Sequence, residues 1–199
     1  PMLDHYGISR VDYVFVSHGD EDPYSGIAEL VPMGRVGHLV LSGAEEDAGS
    51  SGEIPVYYMS AGSVIRDGSW QFQCLLPVQS EDLFDKRQND EGDRNERSMV
   101  LKLITGQETI LFMVDLPSEE ELKIEAEDVK DVNVIKIGHH GSDTSTSEQL
   151  LDMTEAETAI ISCGKNNRYG HPHKTVTDRL QERNIRIRRT DEEGSIRLR

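Results

Sequence analysis

Four short clusters of histidine, carboxylate, amide and cationic side chains punctuate this chain of 199 residues, each just after an apolar run. The first is Ser17-His18-Gly19-Asp20-Glu21-Asp22-Pro23. Its imidazole and two carboxylates (His18, Asp20, Asp22) alternate, so a tight loop can turn all three toward one centre. A divalent cation is what makes such crowding of negative charge tolerable. The second is Asp115 at the end of Leu111-Phe112-Met113-Val114, where an unpaired charge at the edge of a core is costly. The third is Gly138-His139-His140-Gly141-Ser142, two adjacent histidines between glycines that let the backbone approach a ligand closely. The fourth is Gly164-Lys165-Asn166-Asn167-Arg168-Tyr169-Gly170-His171-Pro172-His173. Amides, cations and imidazoles ahead of a helix suit an anion such as phosphate.

Each cluster alone has a plainer explanation: an acidic surface loop, a helix cap or an ordinary polar loop. The joint occurrence argues for chemistry. Histidines and aspartates at the ends of separate strands, converging on one rim, are what a dinuclear hydrolase needs to acidify water and neutralise phosphoryl oxygens. Five of the seven histidines fall in these clusters; His5 and His38 read as structural.

The elements that must position them follow from β-branched and aromatic runs. Strands are predicted at 11–16, 37–41, 54–59, 70–76, 98–104, 109–114, 132–137, 157–162, 185–189 and 195–198. Helices are predicted near 118–127, 146–153 and 173–183, with a helical turn at 26–31. Residues 43–53 and 79–97 are polar, turn-rich stretches. Many strands with a few interspersed helices predict an α/β layered domain with mixed sheets rather than a regular βαβ alternation. The length suits one domain over residues 1–199. The chain begins at Pro1 and enters an apolar strand almost at once, so it reads as a piece of something larger.

No run of 18 or more apolar residues exists, so no membrane insertion by this segment is expected. Cys74 and Cys163 are flanked by apolar residues and read as buried thiols. The formal net charge of −16 argues against a surface that coats nucleic acid generally. The charge is uneven: residues 164–199 hold 10 Lys/Arg against 5 Asp/Glu. An anionic substrate could approach that end while an acidic site holds cations. The plain alternative is that Arg186, Arg188, Arg189, Arg197 and Arg199 are solvent-facing positions of strands.

From Gly7 onward the chain resembles the metallo-β-lactamase-like domain of the DNA-internalisation competence protein ComEC family. The matching runs are Val14 through Asp22, Asn95-Glu96-Arg97-Ser98-Met99-Val100-Leu101, Asp115, Gly138 through Ser142, Asn166 through His173 and Arg189 through Ile196. The resemblance implies an αββα sandwich with mixed sheets, here lacking its N-terminal strands, and a two-metal nuclease that degrades the DNA strand not imported. It also implies a polytopic bacterial membrane protein as parent, with this domain outside the cytoplasm and the membrane channel and DNA as its partners.

Residue by residue, the resemblance implies that His18 and Asp20 bind a first metal and Asp22 a second. Asp115 would bridge both, and His139 or His140 would complete the second site. Asn95 and Ser98 would shape the site, with Lys165, Asn167 and Arg168 on the substrate. His171 and His173 would contact the scissile phosphate or protonate the leaving oxygen, joining Asp115 as catalytic residues. The oxygen-rich ligand set favours Mn2+, with Zn2+ and Mg2+ as alternatives. The chain departs from the family pattern where Pro23 replaces a metal-binding histidine, which leaves that site incomplete, and where Met113-Val114 replaces Thr-Gly. Two other readings therefore stand beside the nuclease: a degenerate DNA-guiding or structural module, and a hydrolase of a small phosphodiester or ester.

Overall fold

The computed structural model describes residues 2–17, 27, 29–43, 54–78 and 94–198. The elements run α1 (Met2–His5), β1 (Val11–Val16), β2 (Val36–Ser42), β3 (Val56–Met59), β4 (Val64–Asp67), β5 (Trp70–Leu76), β6 (Val100–Ile104), β7 (Thr109–Phe112), α2 (Ser118–Glu121) and α3 (Ala126–Val129). They continue with β8 (Val134–Lys136), α4 (Glu148–Met153), β9 (Thr158–Ile161), α5 (Lys174–Glu182), β10 (Arg186–Arg189) and α6 (Thr190–Glu193).

Two sheets result. The smaller has the order β1-β2-β3 and is parallel throughout. The larger has seven strands in the order β10-β9-β8-β7-β6-β5-β4. Its β10-β9-β8-β7 half is parallel and its β7-β6-β5-β4 half antiparallel, the mixed sheet expected. Three apolar clusters define the layers. Leu111, Met113, Ile135, Ile161, Val176 and Leu180 belong to the helix-covered face of the large sheet. Val40, Met59, Cys74, Met99 and Leu101 fill the space between the sheets. Val16, Leu39 and Leu41 lie on the outer face of the small sheet, with Ile27 packed against them.

Local sequence explains the elements. β2 reads as a nearly continuous apolar run because it is buried on both faces. At Gly37 a Cβ would come within 2.5 Å of the Asp12 carbonyl oxygen, so only glycine lets β2 approach β1 there. In α5, Val176 and Leu180 sit one turn apart and are buried.

The structure corrects several expectations. Residues 195–198 form no strand: α6 and Gly194, at φ +72°, turn the chain away, and the tail is held instead by Arg188 Nη1 donating to the Arg197 carbonyl at 3.0 Å. The predicted helix over 118–127 is two single turns, α2 and α3, because the chain breaks to sink Ile124 into the core. β7 stops at Phe112 instead of 114, since Val114 adopts φ +53°. Strand β4 was not anticipated, although Gly68-Ser69 supplies the two-residue hairpin turn to β5. Cys74 is buried as expected, its thiol pushed up to about 12 by burial, while Cys163 is only half-buried.

One buried carboxylate fastens the helical layer to the loop after β8. Glu121 is 1% exposed, and its two oxygens accept the Thr146 and Ser147 amide N–H groups at 2.6 and 2.8 Å. Arg179 Nη1 donates to the Thr146 carbonyl at 3.1 Å from the other side. Truncating the acid strands two buried donors, each worth about 1–3 kcal/mol. Glu121→Ala should therefore cost ~2–5 kcal/mol in urea unfolding, and Glu121→Gln, which keeps one accepting oxygen, distinctly less. Equal losses in the two variants would show that burial volume, not the paired amides, is what Glu121 supplies.

Candidate metal and phosphate site

Strand register gathers the candidate residues along one rim. β6 runs antiparallel to β7 with Leu101 opposite Phe112, so the start of β6 lies beside the end of β7. Phe112 is opposite Lys136, and Lys136 opposite Ile160, which aligns the ends of β7, β8 and β9. Asn95 and Ser98 therefore precede, and Asp115, His139, His140 and the 164–173 loop follow, strand ends on the same edge. The small sheet joins there too: the Met99 amide donates to the Ser17 carbonyl at 2.9 Å, and Ser42 Oγ donates to the Arg97 carbonyl at 3.0 Å. His18, Asp20, Asp22 and Pro23 lie outside the described residues.

The ends of β7 and β8 are tied by one short bond, His139 N–H to the Val114 carbonyl at 2.7 Å. Val114 (φ +53°), His139 (φ +44°) and His140 (φ +56°) all take left-handed backbone. That conformation turns the chain out of the sheet and costs about 1–3 kcal/mol per residue. Gly141 (φ +88°) is required next, because a Cβ there would come within 2.6 Å of Pro172. The neighbouring His173 N–H donates to the Gly141 carbonyl at 2.9 Å, closing the two loops together.

Side-chain bonds fix what each group can still do. His140 Nδ1–H donates to the Ser162 carbonyl at 2.7 Å, which leaves the Nε2 lone pair for a cation or proton. His139 and His140 lie 6.0 and 6.5 Å from His171, ring centre to ring centre, and His173 lies 5.0 Å from it. Burial, then the neighbouring His173, His139 and His140 rings, hold His171 below the ordinary imidazole pKa against the opposing pull of Asp143. His173 is engaged at both nitrogens: Nε2–H donates to the Tyr169 carbonyl at 3.2 Å, and Nδ1 accepts the Asp143 N–H at 3.2 Å. The same Nδ1 lies 3.1 Å from the Asp143 carboxylate.

The 164–173 loop is braced from within. The Asn167 amide donates to the Gly164 and His171 carbonyls at 3.0 and 2.6 Å and accepts the His171 N–H at 2.9 Å. This use of Asn167 is architectural. Lys165 is exposed, and the Arg168 guanidinium lies 4.7 Å above the Tyr169 ring. Farther along, Arg188 pairs with Glu193, and Arg189 with Asp191 and Glu192, so much of the C-terminal positive charge is neutralised within the chain.

Three features of the described rim suit a divalent cation. Asp115 is half-buried, with no hydrogen bond or ion pair to another described residue. His140 is tautomerically fixed with a lone pair to spare. The Ser98 hydroxyl is fully buried without a hydrogen-bond partner among the described residues. Among the described residues no three His, Cys, Asp or Glu side chains form a metal cage by themselves. Met113 turns into the helix-side core and adds no bulk at the rim.

Sequence reasoning passed over four contributors. Glu121 stood among equivalent acids in Ser118-Glu119-Glu120-Glu121, where nothing marks the buried one. Tyr169 lies inside the Asn166 through His173 run without a role of its own, and Asp143 directly follows the Gly138 through Ser142 run. Lys136, at the end of β8, carries no sequence signal beyond that of a strand residue. Burial lowers its ammonium pKa, opposed by the charges of Asp115 and Cys163. Cys163 Sγ–H donates to Asp191 Oδ1 at 3.2 Å, and burial followed by Asp191 raises its pKa.

The left-handed Val114 yields a stability prediction. A β-branched side chain is poorly suited to that backbone and glycine is not. Val114→Gly should stabilise the fold by about 1 kcal/mol, with Val114→Ala between, read from urea midpoints at unchanged slope. A loss in the glycine variant would mean that Val114 packing outweighs the strain.

No family model matches the chain. It is 33% identical over its full length to ComE operon protein 3 of Bacillus subtilis, of which it spans 26%. It is 29% identical to Recombination protein 2 of Haemophilus influenzae and 27% to Competence protein ComA of Neisseria gonorrhoeae, again over the full chain and 23% and 26% of those proteins. The chain thus spans about a quarter of the length of these relatives. Among solved structures, CmlA, a diiron β-hydroxylase from Streptomyces venezuelae, superposes with TM-score 0.64 at 16% identity, over 91% of this chain and 44% of CmlA. The metallo-β-lactamase fold protein YhfI from Bacillus subtilis gives 0.55 at 11% identity, over 94% of this chain and 78% of YhfI. Along its whole length the chain is a homologue of part of the ComEC-family competence proteins, and its fold is that of the metallo-β-lactamases.

Proposed function

We propose that the chain hydrolyses DNA phosphodiesters with divalent cations, degrading the strand that is not imported during DNA uptake. The observation that carries this reading is a half-buried carboxylate, Asp115, without a hydrogen bond or ion pair among the described residues, on the same rim as the His139, His140 and His171 rings. The homology to competence proteins supports the biological setting. In that setting the domain lies outside the cytoplasm, beside the membrane-channel portion of its parent. No helix among the described residues is long and apolar enough to cross a membrane.

His18 and Asp20 would hold one cation, Asp22 and His139 or His140 a second, with Asp115 between them; manganese is the preferred ion, zinc and magnesium the alternatives. Bound cations would supply charge neutralisation at the phosphoryl oxygens and acidification of water. The remaining work falls to the chain's own groups. Asp115 orients the attacking water. His171 donates a hydrogen bond to the phosphate or leaving oxygen, and the doubly bonded His173 fixes the loop that carries it. Lys165 and Arg168 offer positive charge to flanking phosphates. Asn95 and Ser98 close the site beside Ser17.

A second reading, a domain with weakened metal binding that guides DNA, is favoured by Pro23 in place of a ligand. Both readings are open to one assay series on a labelled oligonucleotide, with calorimetric manganese binding in parallel. The nuclease reading expects manganese-dependent cleavage, and Asp115→Ala should lower its rate by roughly 100-fold or more while weakening manganese binding. An inert parent chain that Pro23→His renders active would establish the second reading in its place.

A further inference from the structure

Among the described residues, the most exposed aromatic ring of the rim has no assigned task. Tyr169 is 60% exposed, although it sits in a loop fastened at several points. Its carbonyl accepts from His173, its neighbour Asn167 clamps both ends of the loop, and Gly170 (φ +74°) makes the turn that follows. The ring is therefore held outward by design of the loop rather than by fraying. Its plane lies 24° from that of His171 at 5.7 Å, and the Arg168 guanidinium covers part of it and bonds to its hydroxyl.

We propose that Tyr169, flanked by Arg168 and His171, is a stacking subsite for an unpaired nucleobase, so that the site takes single-stranded rather than duplex nucleic acid. The proposal rests on the phosphodiesterase reading and names its substrate form. An exposed aromatic beside cations is the combination that binds single strands: bases stack on the ring while Lys or Arg follow the phosphates. Lys165 and Arg168 provide that charge on a chain that is otherwise strongly acidic. In a duplex the base faces are already occupied by their neighbours, and the ring gains nothing. The step therefore follows strand separation: the chain acts on a strand already released from its complement.

The test uses the full chain, a 2-aminopurine oligonucleotide and its duplex, with Tyr169→Ala, Tyr169→Phe and Tyr169→Trp. Binding is read by fluorescence at low salt in chelator, and manganese-dependent cleavage is read separately. Tyr169→Ala should weaken single-strand binding on the order of tenfold without changing duplex binding. Tyr169→Phe and Tyr169→Trp should keep it, and their retention excludes a folding defect as the cause. Equal weakening for both nucleic acids, or none for either, overturns the subsite. Tyr169-dependent single-strand binding without cleavage by any divalent ion would keep the subsite and remove the nuclease reading. Cleavage indifferent to Tyr169 would do the reverse.

Discussion

The site depends on the hydrogen bond from His139 N–H to the Val114 carbonyl. It joins two parallel strand ends where both chains leave the sheet through left-handed backbone, a conformation that valine and histidine do not adopt cheaply. That strain persists only because neighbours over-determine it. Glu121 holds the Thr146 and Ser147 amides, Arg179 holds the Thr146 carbonyl, and Gly138 N–H donates to Thr146 Oγ1 at 3.2 Å. The loop has too few degrees of freedom left to relax. Its histidines are consequently presented at fixed angles before any ligand arrives, which is the preorganisation that binding and catalysis both reward.

Charge is placed with the same economy. The chain is acidic overall, yet Asp115 on the rim has no pairing partner among the described residues, while more peripheral charges are matched. Arg183, for example, pairs with Asp152 at 2.7 Å, well away from the imidazole cluster. Lys136 lies within electrostatic reach of Asp115, and its burial works against its charge. Asp115 is thus left without a close counter-charge among the described residues, a situation that a bound cation would relieve.

Much of this was legible in the sequence, and the limits have physical causes. Strands such as Val11–Val16 and Thr158–Ile161 announce themselves through β-branched runs because tertiary packing agrees with local propensity. The His-His and Asn-Asn-Arg-Tyr-Gly-His-Pro-His motifs are visible because glycine and proline mark backbone that only a site requires. The residues that hold the site were not legible. Glu121 is one acid among three, and only the fold decides which one meets the buried amides. Likewise, nothing in Met113-Val114-Asp115 shows that methionine would turn into the core while valine bends the chain. Such choices are made by contacts between segments far apart in sequence.

Under the proposed nuclease reading, His139, His140 and Asp115 would share one cation pocket with His18, Asp20 and Asp22. Titrating the isotope-labelled chain with Mn2+ and following its NMR spectrum tests this directly, because the paramagnetic ion broadens only nearby signals. The account predicts early, joint loss of the His18, Asp20, Asp22, Asp115, His139 and His140 resonances while those of His5 and His38 stay sharp. Broadening of only one of these segments, or of acidic surface positions elsewhere, would contradict it.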